Sequence, residues 1–266
     1  MAENRASWDE LAAIHLRDAT GFYAVERFRS GQDILYDLVV AEIGEVRGRR
    51  LAHLQCHIGI DALCLARRGA VVTGLDYSAP AVAGAQSLAA ETGLAATFVC
   101  ADVYDAPRAL AGPFDIVYVS WGSLNWLPDI RRWGEVIGAL LAPGGYLYLV
   151  EQHPFVAVIK EINGWLHPYY SWRTPPTRPI VTEAPTAYSG DQTRREHSRQ
   201  HEWDHPLSDV IGALMAAGLR IDFFREHEVL PWRRLSMMVP GKDRMFRMPD
   251  HEVQMPLSFS LKASKP

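Results

Sequence analysis

No long apolar run and no concentration of charge of one sign occurs in the 266 residues. Without an apolar stretch of about 18 residues we expect no membrane-spanning helix, and the charged N-terminus MAENRASWDE lacks a signal-peptide core. Lys and Arg total 27 against 31 for Asp and Glu, a net charge of −4, and no basic cluster stands out. We therefore expect a cytoplasmic protein whose partners are neither nucleic acids nor membranes.

Cysteine is also scarce. The three residues Cys56, Cys64 and Cys100 lie in segments that have the pattern of core strands or helices. An odd number of cysteines in such places is unlike a disulfide framework and fits a reducing compartment. Hydrophobic residues make up 48% of the chain, which suffices for one substantial core. We expect one elaborated domain, as a monomer or a homodimer.

Strand and helix patterns alternate through most of the chain. Two helices are predicted first, over residues 7–16 behind a Ser7 N-cap and over residues 34–43. Five strands follow, with amphipathic helices between most of them: RLAHLQC, AVVTGLD, ATFVCAD, FDIVYVS and YLYLVEQ. A helix over 207–217 and the strands LRIDFFREH and MPLSFSLKA come near the C-terminus. The predicted fold class is α/β, with a doubly wound, mostly parallel seven-stranded sheet that includes a C-terminal antiparallel strand.

Two irregular segments interrupt this alternation. The first is too long for an ordinary connection and is rich in aromatic residues, so we expect an inserted substrate cover. Within it, residues 180–188 and 194–203 are expected to pair as an antiparallel hairpin. The expected units, in chain order, are an N-terminal helical lid (1–45) and a main domain (46–266) with the cover (152–206) and a second irregular insertion (228–254).

Three successive strand ends carry residues suited to a nucleoside, and ligands of open parallel sheets bind beyond such ends. After the first strand, Gly59 opens a helix and permits close approach of the backbone to a ligand. The second strand ends at Asp76, about twenty residues on, where a carboxylate can accept both ribose hydroxyls. The third ends at Asp102, which is suited to the adenine amine. A turn-forming Asp76 and a helix-capping Asp102 are the structural alternatives.

These residues resemble the motifs of class I S-adenosylmethionine-dependent methyltransferases. GLDYS resembles their acidic second motif, ADVYD the third and FDIVYVSWGSLNWLPD the fourth. The first motif departs from the family, since His53 stands where an acid is usual, and Gln55 and His57 where glycines are usual. A bacterial small-molecule subgroup of this superfamily is more similar still. It shares HLQCHxGxD, VTGLDYS, WLPD, PGGxLYLVEQHPF, xWxHxLS and PLSFSLKA, which span nearly the whole chain.

The resemblance implies methyl transfer from S-adenosyl-L-methionine to a small molecule, with S-adenosyl-L-homocysteine as product. We expect the acceptor atom to be an oxygen or nitrogen of an aromatic or heteroaromatic metabolite. For Gln55 and His57, hydrogen bonding within the turn is the alternative to ligand contact. The expected cofactor-binding residues are Tyr23, Gln55, Cys56, His57, Gly59, Asp76, Tyr77, Ser78, Asp102, Val103, Ser120 and Trp121.

A catalytic base is optional for displacement at a sulfonium. If the acceptor carries a proton, His153 at the end of the fifth strand is the candidate, although a turn residue before Pro154 is the structural alternative. The expected substrate-wall residues are Trp8, Trp126, Tyr169 and Trp172, because aromatic faces pack against flat molecules and cations.

Three histidines at four-residue spacing, His197, His201 and His205, are compatible with a metal site. Their charged surroundings favour a solvated hairpin arm, so no metal is predicted. Two alternatives to a methyltransferase stay open. Asp76 suits a nicotinamide dinucleotide equally well, although the chain has no G-x-G-x-x-G turn for its pyrophosphate. The altered first motif also permits a non-catalytic protein that binds S-adenosylmethionine.

Overall fold

The structure is a computed structural model that describes residues 2–266. Met1, the first residue of the predicted lid, lies outside the described residues. The described α-helices are α1 (Ala2–Arg17), α2 (Val25–Arg29), α3 (Asp37–Ile43), α4 (Ile60–Arg67), α5 (Ala79–Thr92), α6 (Ala106–Ala109), α7 (Ile130–Leu140), α8 (Pro154–Ala157) and α9 (Leu207–Ala216). None of these helices within residues 2–266 is both long and apolar enough to cross a bilayer.

Thirteen strands are described in residues 2–266. They are β1 (Arg50–Leu54), β2 (Val71–Asp76), β3 (Ala96–Cys100), β4 (Phe114–Val119), β5 (Leu141–Gln152), β6 (Ile159–Ile162), β7 (Trp165–Pro168), β8 (Ile180–Glu183), β9 (Arg199–Glu202), β10 (Arg220–His227), β11 (Val239–Pro240), β12 (Phe246–Arg247) and β13 (Ser258–Ser264).

Seven strands form one sheet in the order β3-β2-β1-β4-β5-β13-β10. The first five are mutually parallel, and β13 pairs antiparallel with both β5 and β10. This confirms the predicted doubly wound, mostly parallel sheet with its C-terminal antiparallel strand. The chain reverses between β1 and β4, so β1, β2 and β4 bring their carboxyl ends to one crevice, where ligands of such sheets bind.

Helices cover both faces of the sheet, which explains why the central strands are apolar throughout. On β1, Leu51 joins a core with Ile58, Tyr118 and residues of α3, α4 and α5. Leu54 points to the opposite face and joins a core with Trp133 and residues of α7 and α9. Because side chains alternate along a strand, the two cores are separated by the sheet itself.

The N-terminal helices differ from the prediction. The helix α1 begins at Ala2, so Ser7 is a buried residue of the helix interior rather than an N-cap. The Ser7 hydroxyl instead contacts the Arg195 guanidinium and accepts from Gln200 Nε2 at 2.9 Å. The short helix α2 was not predicted, and α3 begins at Asp37 rather than at residue 34. In the sequence Ser7 has the pattern of an N-cap. The residues that its hydroxyl contacts, Arg195 and Gln200, lie too far along the chain for a local pattern to reveal them.

The predicted cover contains two small hairpins. The strands β8 and β9 pair antiparallel with Ile180 opposite Glu202, as predicted, but the ladder ends at Glu183 and Arg199. The residues between them leave the ladder and hydrogen-bond to α1. The strands β6 and β7 form the second hairpin, which carries the exposed side chain of Trp165.

Gly59, the residue before α4, is expected to be intolerant of any side chain. A Cβ there meets Ala85 Cβ at 2.6 Å and Phe98 Cε1 at 2.8 Å, whereas one on Gly93 meets nothing within 4 Å. Both glycines have left-handed backbones, with φ of 75° and 66°. Alanine at either position therefore costs about 1–2 kcal/mol of backbone strain, and Gly59→Ala adds about 1–3 kcal/mol of overpacking. Urea unfolding of both variants measures the difference, and equal losses of stability would contradict this packing role.

Candidate functional site

A cavity of about 500 Å³ lies beyond the carboxyl ends of the central strands. Its floor includes Gln55 after β1, Asp76 at the end of β2 and Trp121 after β4. Its roof includes Trp8 from α1 and Gln200 from β9. The predicted strand ends and the predicted cover thus enclose one space, which is large enough for a small-molecule ligand.

The turn between β1 and α4 has an unusual backbone. Gln55 and His57 have φ of 52° and 49°, in the left-handed region that favours glycine. Two contacts hold them there: Gln55 Nε2 donates to Ser123 O at 2.9 Å, and His57 N donates to Asp76 Oδ2 at 2.8 Å. Such strain persists where the surroundings over-determine it, and it concentrates at ligand sites.

The Asp76 carboxylate is buried and forms two backbone hydrogen bonds. It accepts from His57 N at 2.8 Å and from Ser78 N at 2.9 Å. The pKa of Asp76 is raised to about 6, mainly by burial and to a smaller extent by the charge of Asp9. The hydrogen bonds from backbone N–H groups act against this rise. A carboxylate accepts about four hydrogen bonds, so Asp76 retains acceptor positions for a ligand.

Uncharged rings cluster next to α1; Trp8, Tyr23 and His57 line the cavity, and His15 packs behind His57. His15 Nδ1 and His57 Nε2 are 2.8 Å apart, and the rings of Trp8 and His57 meet edge to face at 5.1 Å. Burial lowers the pKa of His15 to about 2 and that of His57 to about 3, so both imidazoles are neutral at physiological pH. Tyr23 adds a tilted contact at 5.6 Å from His57.

Several cavity-lining side chains carry buried polar atoms that have no hydrogen-bond partner among residues 2–266. They include Trp8 Nε1, Gln55 Oε1, His57 Nδ1, Trp121 Nε1 and Asn125 Oδ1. A buried polar group that stays unpaired costs about 1–3 kcal/mol. Donors and acceptors therefore occur together around a partly aromatic space, which fits a nucleoside joined to an amino acid, as in S-adenosylmethionine.

The roof is held by polar contacts between α1 and the segment 188–202. Asn4 exchanges two hydrogen bonds of 2.8 Å with the backbone of His201. Glu10 accepts from the backbone N–H groups of Glu196 and His197 at 2.8 and 2.9 Å. Because these bonds connect elements distant in sequence, α1 and the cover form a single lid over the cavity.

Comparison with known proteins finds a family match to the central part of the chain. Residues 52–145 match the methyltransferase domain family. A ubiquinone biosynthesis O-methyltransferase of Cronobacter sakazakii is 29% identical to this chain over 128 residues, which are 48% of this chain and 50% of the relative. The chain thus spans about half the length of the curated relatives it matches.

Solved structures extend the likeness of the methyltransferase domain to most of the fold. An S-adenosylmethionine-dependent methyltransferase from Mesorhizobium loti aligns over 85% of this chain and 95% of its own, with a TM-score of 0.57 and 20% identity. One from Methanosarcina mazei aligns over 87% and 98%, with a TM-score of 0.55 and 20% identity. These matches confirm the expected fold.

Most of the predicted site residues come together at the cavity. Ten of them line it: Trp8, Tyr23, Gln55, Cys56, His57, Asp76, Tyr77, Ser120, Trp121 and Trp126. Asp102 lines a separate, smaller cavity with Arg5, Asp9 and Tyr77. Its carboxylate also accepts from Tyr104 N at 3.0 Å, the capping role weighed from the sequence. Tyr77 lines both cavities, so the adenine-binding role of Asp102 stays a prediction.

Three other residues expected at the cofactor have structural roles instead. Gly59 packs against Ala85 and Phe98, so its missing side chain serves the protein rather than a ligand. Ser78 caps α5 by accepting from Ala81 N at 3.3 Å. Val103 is buried in the core beneath α7.

His153 and two aromatic residues also lie away from the cavity. His153 Nδ1 accepts from Phe155 N at 3.0 Å, and its Nε2 lies 3.1 Å from Glu226 on the edge strand β10. It therefore caps α8 and does not line the cavity, contrary to the expectation from its strand position. Tyr169 and Trp172 are 57% and 60% exposed, and Tyr170 lines the cavity instead.

The histidine triplet is divided among different partners. His201 pairs with Glu3 of α1, whereas His205 Nε2 contacts Leu127 O at 2.7 Å. Within residues 2–266 no group of three metal-ligating side chains comes together.

Sequence reasoning missed several cavity-lining residues, among them Asp61, Tyr188, Asp204 and Arg244. Asp61 is the last residue of the motif HLQCHxGxD, which was a usable signal, whereas Asp204 occupies an unspecified position of xWxHxLS. Nothing near Arg244 distinguishes it from the other arginines of the chain.

Proposed function

We propose that this chain transfers a methyl group from S-adenosylmethionine to a small-molecule acceptor. The observation that carries the proposal is the buried Asp76 carboxylate at the end of β2, which lines the cavity with acceptor positions free. The match of residues 52–145 to the methyltransferase domain supports the same function. Membership of the subgroup with the HLQCHxGxD motif is part of this proposal.

When bound, the cofactor supplies a methyl group on a sulfonium, which an acceptor takes by in-line displacement. The protein then has to hold both molecules in line and exclude water. Asp76 would accept from the ribose hydroxyls, and Trp8 and Trp121 offer aromatic faces to the cationic centre. The N-terminal lid and the cover, joined through Asn4 and His201, would close the site.

The acceptor would lie beneath the cover, against an aromatic wall formed by Trp126, Tyr170, Trp203 and Trp232. Such a wall favours the oxygen or nitrogen of a flat aromatic or heteroaromatic metabolite. The name of the Cronobacter sakazakii relative, which describes O-methylation in ubiquinone biosynthesis, agrees with this class of acceptor.

Asp204 is the proposed proton acceptor. It lines the cavity beneath the cover, and its buried Oδ2 has no hydrogen-bond partner in the described part of the chain, residues 2–266. Burial and the neighbouring Glu202 raise the pKa of Asp204 to about 6, and Arg234 acts against the rise. A base with a pKa near the working pH is well suited to general base catalysis.

Titrations of the purified chain test the proposal. S-adenosylmethionine, S-adenosylhomocysteine and NAD are each titrated by calorimetry, and transfer of a radiolabelled methyl group is then assayed over phenols, catechols and heteroaromatic amines. We expect both sulfur nucleosides to bind, NAD not to bind, and at least one acceptor to be methylated. Binding of NAD alone would favour the oxidoreductase. Cofactor binding without transfer to any acceptor would favour a non-catalytic binding protein.

Cofactor affinity is expected to depend on pH. Because the raised pKa of Asp76 is about 6, its carboxyl takes up a proton below that pH and then no longer accepts two ribose hydroxyls. Affinity for S-adenosylhomocysteine should be constant from about pH 7 to 8 and fall by about tenfold per pH unit well below pH 6. Calorimetry at pH 5 and pH 7.5 measures this, and equal affinities would count against an ionised Asp76 in the complex.

A further inference from the structure

Two opposite charges from distant parts of the chain line the same end of the cavity. Asp61 is in the first turn of α4, and Arg244 is in the turn between β11 and β12, within the second irregular insertion. Ile34 and Tyr36 line the cavity with them. Neither Asp61 nor Arg244 has a role in cofactor binding or methyl transfer as proposed above.

Of the three cavity-lining carboxylates Asp61, Asp76 and Glu151, Asp61 accepts the fewest hydrogen bonds. Within residues 2–266 it accepts one hydrogen bond, from the Tyr118 hydroxyl at 3.2 Å. Glu151, by contrast, accepts from four backbone N–H groups, and Asp76 accepts from two. Burial raises the pKa of Asp61 to about 6, so the group is mostly ionised at neutral pH. It carries a negative charge with acceptor positions to spare.

Arg244 is held in a costly conformation. Its φ is 64°, in the left-handed region that disfavours every residue with a Cβ. The guanidinium donates to Ile34 O and lies over the Tyr36 ring, with Cζ 4.6 Å from the ring centroid. A guanidinium has five N–H donors, so most of them stay available for a ligand.

The two charges attract each other without meeting. The positive charge of Arg244 counteracts the rise in the pKa of Asp61, yet no Arg244 nitrogen lies within 4.0 Å of an Asp61 oxygen. His53, at the end of β1, is neutral because burial lowers its pKa to about 3. Asp61 and Arg244 therefore bring one carboxylate and one guanidinium to this end of the cavity without a direct ion pair between them.

We propose that Asp61 binds the ammonium, and Arg244 the carboxylate, of the methionine end of S-adenosylmethionine. This assignment rests on the proposed function and adds the residues that recognise the amino-acid part of the cofactor. A free α-amino acid group carries both charges on one carbon, which matches an anion and a cation that face each other across a gap. Guanidinium and carboxylate also fit each other in a bidentate geometry.

The test compares two ligands that differ in this amino-acid part. S-adenosylhomocysteine contains it, and 5′-methylthioadenosine lacks it. Calorimetry on the full chain measures both affinities for the parent, Asp61→Asn, Arg244→Gln and the control Arg233→Gln. Arg233 packs over the Phe246 ring of the neighbouring strand and does not line the cavity. Unchanged affinity for 5′-methylthioadenosine shows that a variant is folded.

We expect Asp61→Asn and Arg244→Gln each to weaken S-adenosylhomocysteine binding about tenfold, with binding of 5′-methylthioadenosine within twofold of the parent. Arg244→Lys, which keeps the charge but not the planar fork, should lose less than Arg244→Gln. Equal losses for both ligands, or no loss for either, would overturn the assignment. If the parent chain binds neither ligand, the proposed function itself is wrong and this assignment fails with it.

Discussion

The Asp76→Ala variant is expected to bind S-adenosylhomocysteine about a hundredfold more weakly than the parent chain. The carboxylate would accept from two ribose hydroxyls, and charge-assisted hydrogen bonds contribute about 1.5–3 kcal/mol each. The substitution also leaves His57 N and Ser78 N without their acceptor, which loosens the strained turn after β1. Calorimetric titration at pH 7.5 measures the effect.

A second variant separates ligand contact from folding. Asp76→Asn keeps the volume but turns an amide NH2 toward one of the two backbone N–H groups, so it should unfold at a somewhat lower urea concentration than the parent, stay folded in buffer and still lose most of the affinity. Asp102→Ala, at the neighbouring strand end, should weaken binding less because Asp102 lies outside the main cavity. Undiminished affinity in both Asp76 variants would remove this carboxylate from the cofactor site.

The Asp204→Asn variant is expected to lower kcat by about a hundredfold or more, the usual contribution of a positioned general base. Asparagine keeps the shape of the side chain but accepts no proton. S-adenosylhomocysteine affinity should stay within twofold, because Asp204 lines the part of the cavity beneath the cover rather than the strand ends. The acceptor found in the methyl-transfer assay serves for steady-state kinetics between pH 5 and pH 9.

The pH profile provides an independent check on Asp204. With the parent chain, kcat should fall as the pH drops below about 6, where the raised pKa of Asp204 places its protonation. This fall of kcat at low pH should be absent in the Asp204→Asn variant. His153→Ala serves as the comparison, because His153 caps α8 outside the cavity and should keep nearly full turnover. A large loss in His153→Ala with full activity in Asp204→Asn would reverse the two roles.

Residues at the ends of the parallel strands are the part of the predicted site that the structure brings to the cavity. Asp76 and Trp121 follow directly from strands whose apolar pattern is clear, and parallel strands bring their carboxyl ends to one edge of the sheet. His153 also follows a strand, yet it lies away from the cavity because its ring is drawn to Phe155 N and Glu226. A position at a strand end therefore predicts proximity to the crevice but not the direction of the side chain.

The sequence predicted where the irregular segments lie, but not which of their side chains point into the cavity. Their aromatic composition indicated a cover, but Tyr169 and Trp172 are exposed while Tyr170 and Trp203 line the cavity. Neighbouring residues in an irregular segment have no fixed periodicity, so the sequence contains no rule that assigns one side chain inward and the next outward.

The mostly parallel, doubly wound sheet and the place of Asp76 at the end of β2 followed from local sequence alone, because apolar periodicity and turn residues act over a few positions. The tertiary structure decided how Ser7 meets Arg195, how His15 meets His57 and how Arg244 comes to face Asp61. These pairs join elements far apart in the chain, and their side chains come near each other only after the sheet has placed the helices and insertions around it.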